Sequence, residues 1–256
     1  MMNPQALLQF KNKLKEETVF GCFVKSCDGI FAETAGYAGF DYCIIDMEHG
    51  PISTDKLQEL IRACECGGAA AIVRVPDISE QSIGKPLDLG AAGVQIPQVS
   101  TPEEAQKAVS LAKFYPNGER GVCRFVRAAR YSSLEKNAYF QEANDALVIL
   151  QVEGKQGVEH IDEILKIDGI DIIFIGPYDL SQSLGVPGEV EHPLVTDTMK
   201  ELVEKAQSKG ICVGTFVDSV EAGIRWRELG VHYISYSVDA GIFYEACRDA
   251  VKQFYA

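Results

Sequence analysis

The 256-residue chain lacks a long apolar run, a basic excess and a paired-cysteine motif. No apolar stretch approaches the ~20 residues that a membrane-spanning helix needs, and no basic segment precedes an apolar leader, so we expect neither a membrane segment nor a signal peptide. The net charge of −13 would repel a phosphate backbone, which argues against nucleic-acid binding. With 46% apolar residues, the chain can still bury a large core.

The eight cysteines include no CxxC pair, and Cys64 and Cys66 are separated by a single residue. Several others, such as Cys22, Cys43 and Cys212, lie inside apolar runs. Because free cysteine is commonly buried, we expect reduced thiols in a cytoplasmic protein, and the spacing gives little support for a structural zinc site.

Eight short apolar runs alternate with helix-like segments along the chain. They show little polar alternation, which is typical of parallel strands covered on both faces. The predicted strands are residues 19–23, 42–46, 70–75, 93–96, 147–152, 171–175, 212–215 and 233–237. No GxGxxG turn follows the first run, so a doubly wound open sheet is the weaker alternative. The pattern predicts an α/β fold, a (β/α)8 TIM barrel that forms a single domain over residues 1–256.

Segments between and before these runs complete the predicted barrel. Residues 1–17 have the pattern of an amphipathic helix, which we expect to precede the first strand and cover the bottom of the barrel. Gly39, Gly93, Gly169 and Gly230 each stand between a helix and the next strand. We expect each to adopt the left-handed conformation that closes a helix.

Polar residues follow several of the predicted strands. His49 comes shortly after the second strand, and Arg74 lies near the end of the third. Glu153 and Asp179 follow the fifth and the sixth. Catalytic groups of such barrels sit at the carboxyl ends of the strands, so these side chains are expected to meet at one face. His49 is the only one of the four histidines in such a position.

Two acidic residues precede His49 closely in the chain. Asp46 and Glu48 could fix the tautomer of the His49 ring and raise its basicity. They are also the partners that a buried Arg74 would need, because an isolated buried cation is costly. Arg74 is therefore either one half of a structural ion pair or a donor to a substrate oxygen.

Glu153 and Asp179 end adjacent strands, and two like charges at close range need a cation or a shared proton. No His or Cys stands beside them, which argues against zinc. Ligation by oxygen alone favours Mg²⁺ or Mn²⁺, with Co²⁺ as a further candidate. A helix N-cap role is the alternative for Asp179.

Six segments of the chain form a recognisable series. They are residues 46–51 (DMEHGP), 73–76 (VRVP), 87–91 (LDLGA), 95–99 (QIPQV), 151–153 (QVE) and 176–181 (GPYDLS). In this order they resemble the HpcH/HpaI aldolase family, which contains class II pyruvate aldolases such as 4-hydroxy-2-oxoheptanedioate and 2-dehydro-3-deoxyglucarate aldolases. The resemblance extends from about residue 20 to residue 254.

The resemblance implies a metal-dependent lyase that cleaves a 4-hydroxy-2-oxo acid to pyruvate and an aldehyde through an enolate. It implies Mg²⁺, Mn²⁺ or Co²⁺ on Glu153 and Asp179. Arg74 would polarise the 2-oxo oxygen. His49 would be the base, acting through water and paired with an Asp88 that reaches the site from a neighbouring subunit.

The resemblance also implies a role for Gln151 and a mode of assembly. Gln151 would help to orient the substrate or the waters at the metal. The last helix, residues 240–256, would swap between partner subunits in a hexamer built from dimers.

Two residues depart from the family pattern. Tyr178 stands where a small residue is common, and Lys25 ends the first strand where a small residue is expected. Each is a candidate for binding the aldehyde half of the substrate.

Two other functions stay open. The same site could form an enolate from oxaloacetate by decarboxylation. A barrel that binds a keto acid or a metal without turnover is the non-enzymatic alternative. The joint occurrence of a base, an arginine and two carboxylates favours the aldolase.

Overall fold

The computed structural model describes residues 4–256, and its centre is a closed barrel of eight parallel strands. The strands are β1 Val19–Val24, β2 Tyr42–Asp46, β3 Ala70–Arg74, β4 Gly93–Ile96, β5 Leu147–Val152, β6 Ile172–Ile175, β7 Cys212–Val217 and β8 Tyr233–Val238. Each strand pairs with the next along the chain, and β8 closes the barrel against β1. Every predicted strand agrees with an observed one to within two residues at both ends.

Helices occupy the connections between the strands. They are α1 Pro4–Glu16, α2 Gly29–Tyr37, α3 Thr54–Gly67, α4 Glu80–Asp88, α5 Pro102–Ala112, α6 Lys136–Asn144, α7 Lys155–Glu159, α8 Ile161–Ile164, α9 Pro177–Ser183, α10 Pro193–Ser208, α11 Val220–Glu228 and α12 Asp239–Tyr255. A short 3₁₀ helix, Arg127–Ser132, lies in the long loop between α5 and α6. This alternation confirms the predicted (β/α)8 barrel.

The inside of the barrel is filled by side chains rather than by solvent. The rings of Tyr42 and Tyr233 stack at its centre with centroids 4.0 Å apart. Helix α1 covers the lower end, where Phe10 and Leu14 are buried and the Phe10 ring meets Tyr42 edge-on at 6.0 Å. The predicted helix at the barrel bottom is therefore present, although residues 1–3 of that prediction lie outside the described residues.

Glycines close several of the helices before the next strand. Three of the four predicted positions have positive φ angles between 87° and 100°, namely Gly39, Gly169 and Gly230. The prediction for Gly93 was wrong, because Gly93 is the first residue of β4 and Gly90, with a φ of 90°, takes the left-handed position. Gly93 is needed for a different reason, since a Cβ there would lie 2.6 Å from the Cβ of Leu147 on β5.

The last helix, α12, packs loosely against the barrel. Of its residues, all described, Asp239 alone is buried. Phe243, Phe254 and Tyr255 are exposed on the same helix, with 59%, 81% and 82% of their surface accessible. The helix agrees in position with the predicted one at residues 240–256. Within residues 4–256, no helix combines the length and the apolar character that crossing a bilayer requires.

Candidate active site

A cavity of about 370 Å³ opens at the carboxyl ends of the barrel strands. Seven of the predicted site residues line it: Lys25, His49, Arg74, Gln151, Glu153, Tyr178 and Asp179. Aromatic and aliphatic side chains complete the wall, among them Phe23, Phe174, Phe216 and Val238. The barrel closure therefore gathers groups that lie far apart in the chain, as the strand-end pattern predicted.

The guanidinium of Arg74 is buried beneath this cavity and held by two carboxylates. The Nε and Nη2 atoms donate to Oδ1 and Oδ2 of Asp46 at 2.9 and 2.7 Å, a bidentate pair. The Nη1 atom lies 3.2 Å from Oε2 of Glu48. The strand register sets this geometry, because Asp46 on β2 is directly opposite Arg74 on β3. The structural ion pair foreseen from the sequence is present.

Arg74 and the carboxylates around it stabilise each other's ionised forms. Burial alone would raise the pKa of Asp46, but the hydrogen bonds and charge of Arg74 hold that pKa below its ordinary value. Burial also opposes the charged form of Arg74, yet Asp46 and Glu48 raise its pKa. A second cation, the Lys25 ammonium, lies 3.5 Å from Oδ2 of Asp46. Asp46 and Arg74 are therefore fully ionised at neutral pH.

Glu153 is a buried carboxylate fixed from two sides. Its Oε1 accepts a hydrogen bond from the backbone N–H of Gln98 at 3.0 Å, and its Oε2 accepts one from Nε2 of Gln151 at 2.5 Å. The Gln151 amide is itself oriented by Nε2 of Gln95 at 2.7 Å. Any Cβ at Gly176 would collide with this carboxylate, so the glycine that precedes α9 leaves the space for it.

The ionised form of Glu153 is disfavoured in the protein alone. Burial, followed by the negative charge of Asp179, raises the pKa of Glu153 to about 7, although the hydrogen bond from Gln151 acts in the opposite direction. Within residues 4–256, neither carboxylate forms an ion pair with a lysine or arginine. Asp179 lies in the first turn of α9 but does not cap it, since the N-cap is Gly176. Among the described residues, the two carboxylates thus form an acidic pair without a lysine or arginine in direct contact.

This acidic pair fits a hard divalent cation. Both side chains offer oxygen, which Mg²⁺ and Mn²⁺ prefer. The described residues contain no group of three or more His, Cys, Asp or Glu side chains around one point, so a fully enclosed protein site is not formed there. A cation held by one or two carboxylates keeps positions open for water and substrate, which is the usual arrangement for Mg²⁺.

His49 lies at the mouth of the cavity with more than half of its side chain exposed. Its backbone N–H donates to Oδ1 of Asp46 at 3.2 Å, which fixes the loop after β2. Its ring Nε2 is 3.9 Å from Oε2 of Glu48, beyond hydrogen-bonding distance. Asp46 therefore positions the His49 backbone, and the expected contact between Asp46 and the His49 ring is not formed in this chain.

Asp88 is the predicted site residue that the structure keeps apart from the others. It ends α4, and its carboxylate accepts a hydrogen bond from Nη2 of Arg120 at 2.6 Å. It lines a second cavity of about 660 Å³ together with Met47, Glu80 and Arg120. Asp88 and His49 line different cavities, so the structure does not bring these two residues together within one chain.

Three polar residues of the site were missed in the sequence. Asp218 lines the cavity and accepts a hydrogen bond from the Tyr178 hydroxyl at 2.7 Å. Gln98 supports Glu153 from an unusual backbone conformation with a φ of 56°. Asp239 accepts hydrogen bonds from the backbone N–H groups of Lys25 and Ser26 at 3.1 and 3.0 Å, which fixes the turn after β1. Asp218 and Asp239 each follow a strand directly, so the strand-end pattern could have found both.

Residues 19–246 match the family model described as HpcH/HpaI aldolase/citrate lyase. The chain belongs to this family. It is similar to a 2-keto-3-deoxy-L-rhamnonate aldolase from Escherichia coli, with 33% identity over 99% of this chain and 95% of that protein. It is also similar to a hydroxypyruvate/pyruvate aldolase from Roseobacter denitrificans, with 36% identity over 87% of this chain and 90% of that one.

Among solved structures, the chain is similar to an HpcH/HpaI aldolase/citrate lyase family protein from Burkholderia cenocepacia. The TM-score is 0.92 and the identity 32%, over 97% of this chain and 99% of the other. Membership of the HpcH/HpaI family confirms the predictions of an enzyme, of a lyase and of a pyruvate aldolase.

We predict that Asp46→Ala lowers the free energy of unfolding by about 3–5 kcal/mol, because Arg74 would stay buried without its bidentate partner. Chemical denaturation measures the loss. Asp197→Ala is the control, since it removes an exposed ion pair with Lys200 on α10 and should cost less than about 1 kcal/mol. Equal losses in the two variants would contradict this account of the buried pair.

Proposed function

We propose that this HpcH/HpaI family member is a divalent-metal-dependent aldolase that cleaves the C3–C4 bond of a 4-hydroxy-2-oxo acid to pyruvate and an aldehyde. The observation that carries the proposal is the acidic pair of the buried Glu153 and the exposed Asp179, which shares one cavity with the paired guanidinium of Arg74. Bond cleavage leaves negative charge on the pyruvyl group, and fixed positive charge stabilises it. The similar rhamnonate and hydroxypyruvate/pyruvate aldolases support this class of substrate.

Glu153 and Asp179 would hold the cation, with Mg²⁺ or Mn²⁺ as the leading candidates and Co²⁺ also compatible. When bound there, the cation would supply Lewis-acid stabilisation of the enolate oxygen. Gln151 keeps the Glu153 carboxylate in one orientation and would also face the substrate. The raised pKa of Glu153 supports the proposal, because a bound cation would remove the cost of ionising that group.

Arg74 would donate to the 2-oxo oxygen of the substrate. A guanidinium has five N–H donors. Two of them bond to Asp46 and one faces Glu48, so two remain for a ligand. The bidentate pair prevents rotation of the group, and the donors are therefore held in place before the substrate binds. This arrangement favours stabilisation of the charge that develops during cleavage.

His49 would remove the proton from the 4-hydroxyl group, through a water molecule, as the aldehyde forms. Its ring lines the cavity and is accessible to solvent, as this role requires. Lys25 and Tyr178 line the same cavity and would contact the aldehyde half of the substrate. Asp88 would orient the His49 ring of a neighbouring subunit, since it faces another cavity in its own chain.

The proposal includes a homo-oligomer, a hexamer built from dimers in which α12 swaps between partners. Phe243, Phe254 and Tyr255 on α12 support this arrangement, because a covering surface would remove exposed aromatic area from water. A cytoplasmic location is also proposed. All eight cysteines lie in the described part of the chain and are free, as expected in a reducing compartment.

A first prediction concerns cation binding. Calorimetry of Mn²⁺ binding at about pH 6, in buffers of different ionisation enthalpy, should show release of close to one proton, because the pKa of Glu153 is raised to about 7. At about pH 8.5 the release should be small, since Glu153 is already ionised. Exhaustive chelation should abolish pyruvate formation.

Two variants control this measurement. Glu153→Gln should abolish tight Mn²⁺ binding and its proton release, whereas Glu103→Gln, at an exposed position on α5, should preserve both. Activity that survives chelation, or Mn²⁺ binding that is unchanged in Glu153→Gln, would reject the metal assignment.

A second prediction separates the proton-transfer step from enolate formation. His49→Ala should reduce kcat for aldol cleavage by roughly 10²–10⁴-fold, because general base catalysis is lost. Decarboxylation of oxaloacetate needs no hydroxyl proton removed, so it should fall much less. His192→Asn is the control, since asparagine preserves a capping side chain at the start of α10. Equal losses of both activities in His49→Ala would count against a base role for His49.

A further inference from the structure

The outer part of the cavity contains a hydrogen-bonded pair that the proposed cleavage chemistry does not use. Tyr178 follows Pro177 in the first turn of α9, directly before the proposed ligand Asp179. Asp218 follows β7, and its Oδ2 accepts the hydrogen bond from the Tyr178 hydroxyl at 2.7 Å. The pair therefore connects the ends of two neighbouring strands, at exposed positions of the cavity beside Asp179.

The geometry of this pair is fixed. The Tyr178 ring lies against Phe216 with centroids 6.0 Å apart at 60°. The Tyr178 hydroxyl, 2.7 Å from Oδ2 of Asp218, is the donor in this pair. Its proton is directed to Asp218, which leaves the Tyr178 oxygen and the free positions on the carboxylate as hydrogen-bond acceptors.

The cavity wall contains both cationic and anionic side chains, and these differ in whether a partner of opposite charge lies nearby. The two cations, Lys25 and Arg74, both face Asp46, at 3.5 and 2.7 Å. Asp218 has no lysine, arginine or histidine at ion-pair distance within residues 4–256. The Tyr178–Asp218 pair is therefore rich in acceptors, and its negative charge has no direct cationic partner among the described residues.

We propose that the Tyr178–Asp218 pair determines which aldehyde the enzyme uses, and that it selects uncharged, hydroxyl-bearing aldehydes over aldehydes with a carboxylate. Hydroxyl groups donate to the acceptors on Asp218 and Tyr178, whereas a second carboxylate would face Asp218 and be repelled. This inference rests on the proposed aldolase function and names the substrate class of its outer site.

The reaction that tests the inference is aldol addition. Pyruvate loses a C3 proton, and the resulting enolate carbon forms a bond to the aldehyde carbon. The aldehyde π electrons move to its oxygen, which takes up a proton to become the 4-hydroxyl group. No oxidant or reductant is needed, and the two substrates compared differ only in their aldehyde.

The experiment compares initial rates of addition of pyruvate, with Mn²⁺ present, to glyceraldehyde and to succinic semialdehyde. The unmodified protein should prefer glyceraldehyde. Asp218→Asn removes the charge but preserves the shape, and it should shift the ratio of kcat/KM values toward succinic semialdehyde by at least about tenfold. Tyr178→Phe retains the charge, so it should shift the ratio less than Asp218→Asn does. Thermal melting verifies that each variant is folded.

The outcomes distinguish a failure of the aldehyde-selectivity inference from a failure of the proposed aldolase function. A preference of the unmodified protein for succinic semialdehyde would overturn the inference and indicate that Lys25 dominates. A ratio that stays within about twofold in a folded Asp218→Asn variant would also overturn it, since the charge would then have no effect on the choice. Absence of addition to either aldehyde would instead reject the proposed aldolase and the inference with it.

Discussion

The site depends on the buried ion pair between Arg74 and Asp46. Parallel pairing of β2 and β3 places these two residues opposite each other at the end of the barrel. Neither charge is stable there alone, because desolvation opposes both, and their bidentate contact offsets that cost. The pair fixes Arg74 beneath the cavity and, through the backbone of His49, also fixes the loop after β2.

The acidic pair of Glu153 and Asp179 is the counterpart of this arrangement. Arg74 has direct carboxylate partners, whereas Glu153 and Asp179 have no lysine or arginine at ion-pair distance in the described part of the chain. The polypeptide holds Glu153 in one orientation through Gln98 and Gln151, at the cost of a left-handed backbone at Gln98. A fixed carboxylate with a raised pKa is typical of a functional site rather than of a structural ion pair. An internal ion pair thus holds Arg74 and Asp46, whereas Glu153 and Asp179 are available to a bound cation.

Much of this could be predicted from the sequence. Apolar runs without polar alternation located all eight strands, and the four polar residues singled out at their ends all line one cavity. The misses have physical reasons. Asp218 was overlooked because β7 extends to Val217, two residues beyond its predicted end. Gln98 gives no local signal, since its role depends on a backbone conformation that few residues other than glycine adopt.

The sequence also could not predict which side chains, far apart in the chain, meet in the fold. The strand-end pattern cannot locate Asp88, which ends a helix and contacts Arg120 rather than His49 within one chain.

A crystal structure with Mn²⁺ and oxalate, a mimic of the pyruvate enolate, tests the central claim most directly. The account predicts an anomalous peak between Glu153 and Asp179, with an oxalate oxygen within hydrogen-bonding distance of Arg74. A peak elsewhere, or oxalate bound away from Arg74, would contradict it.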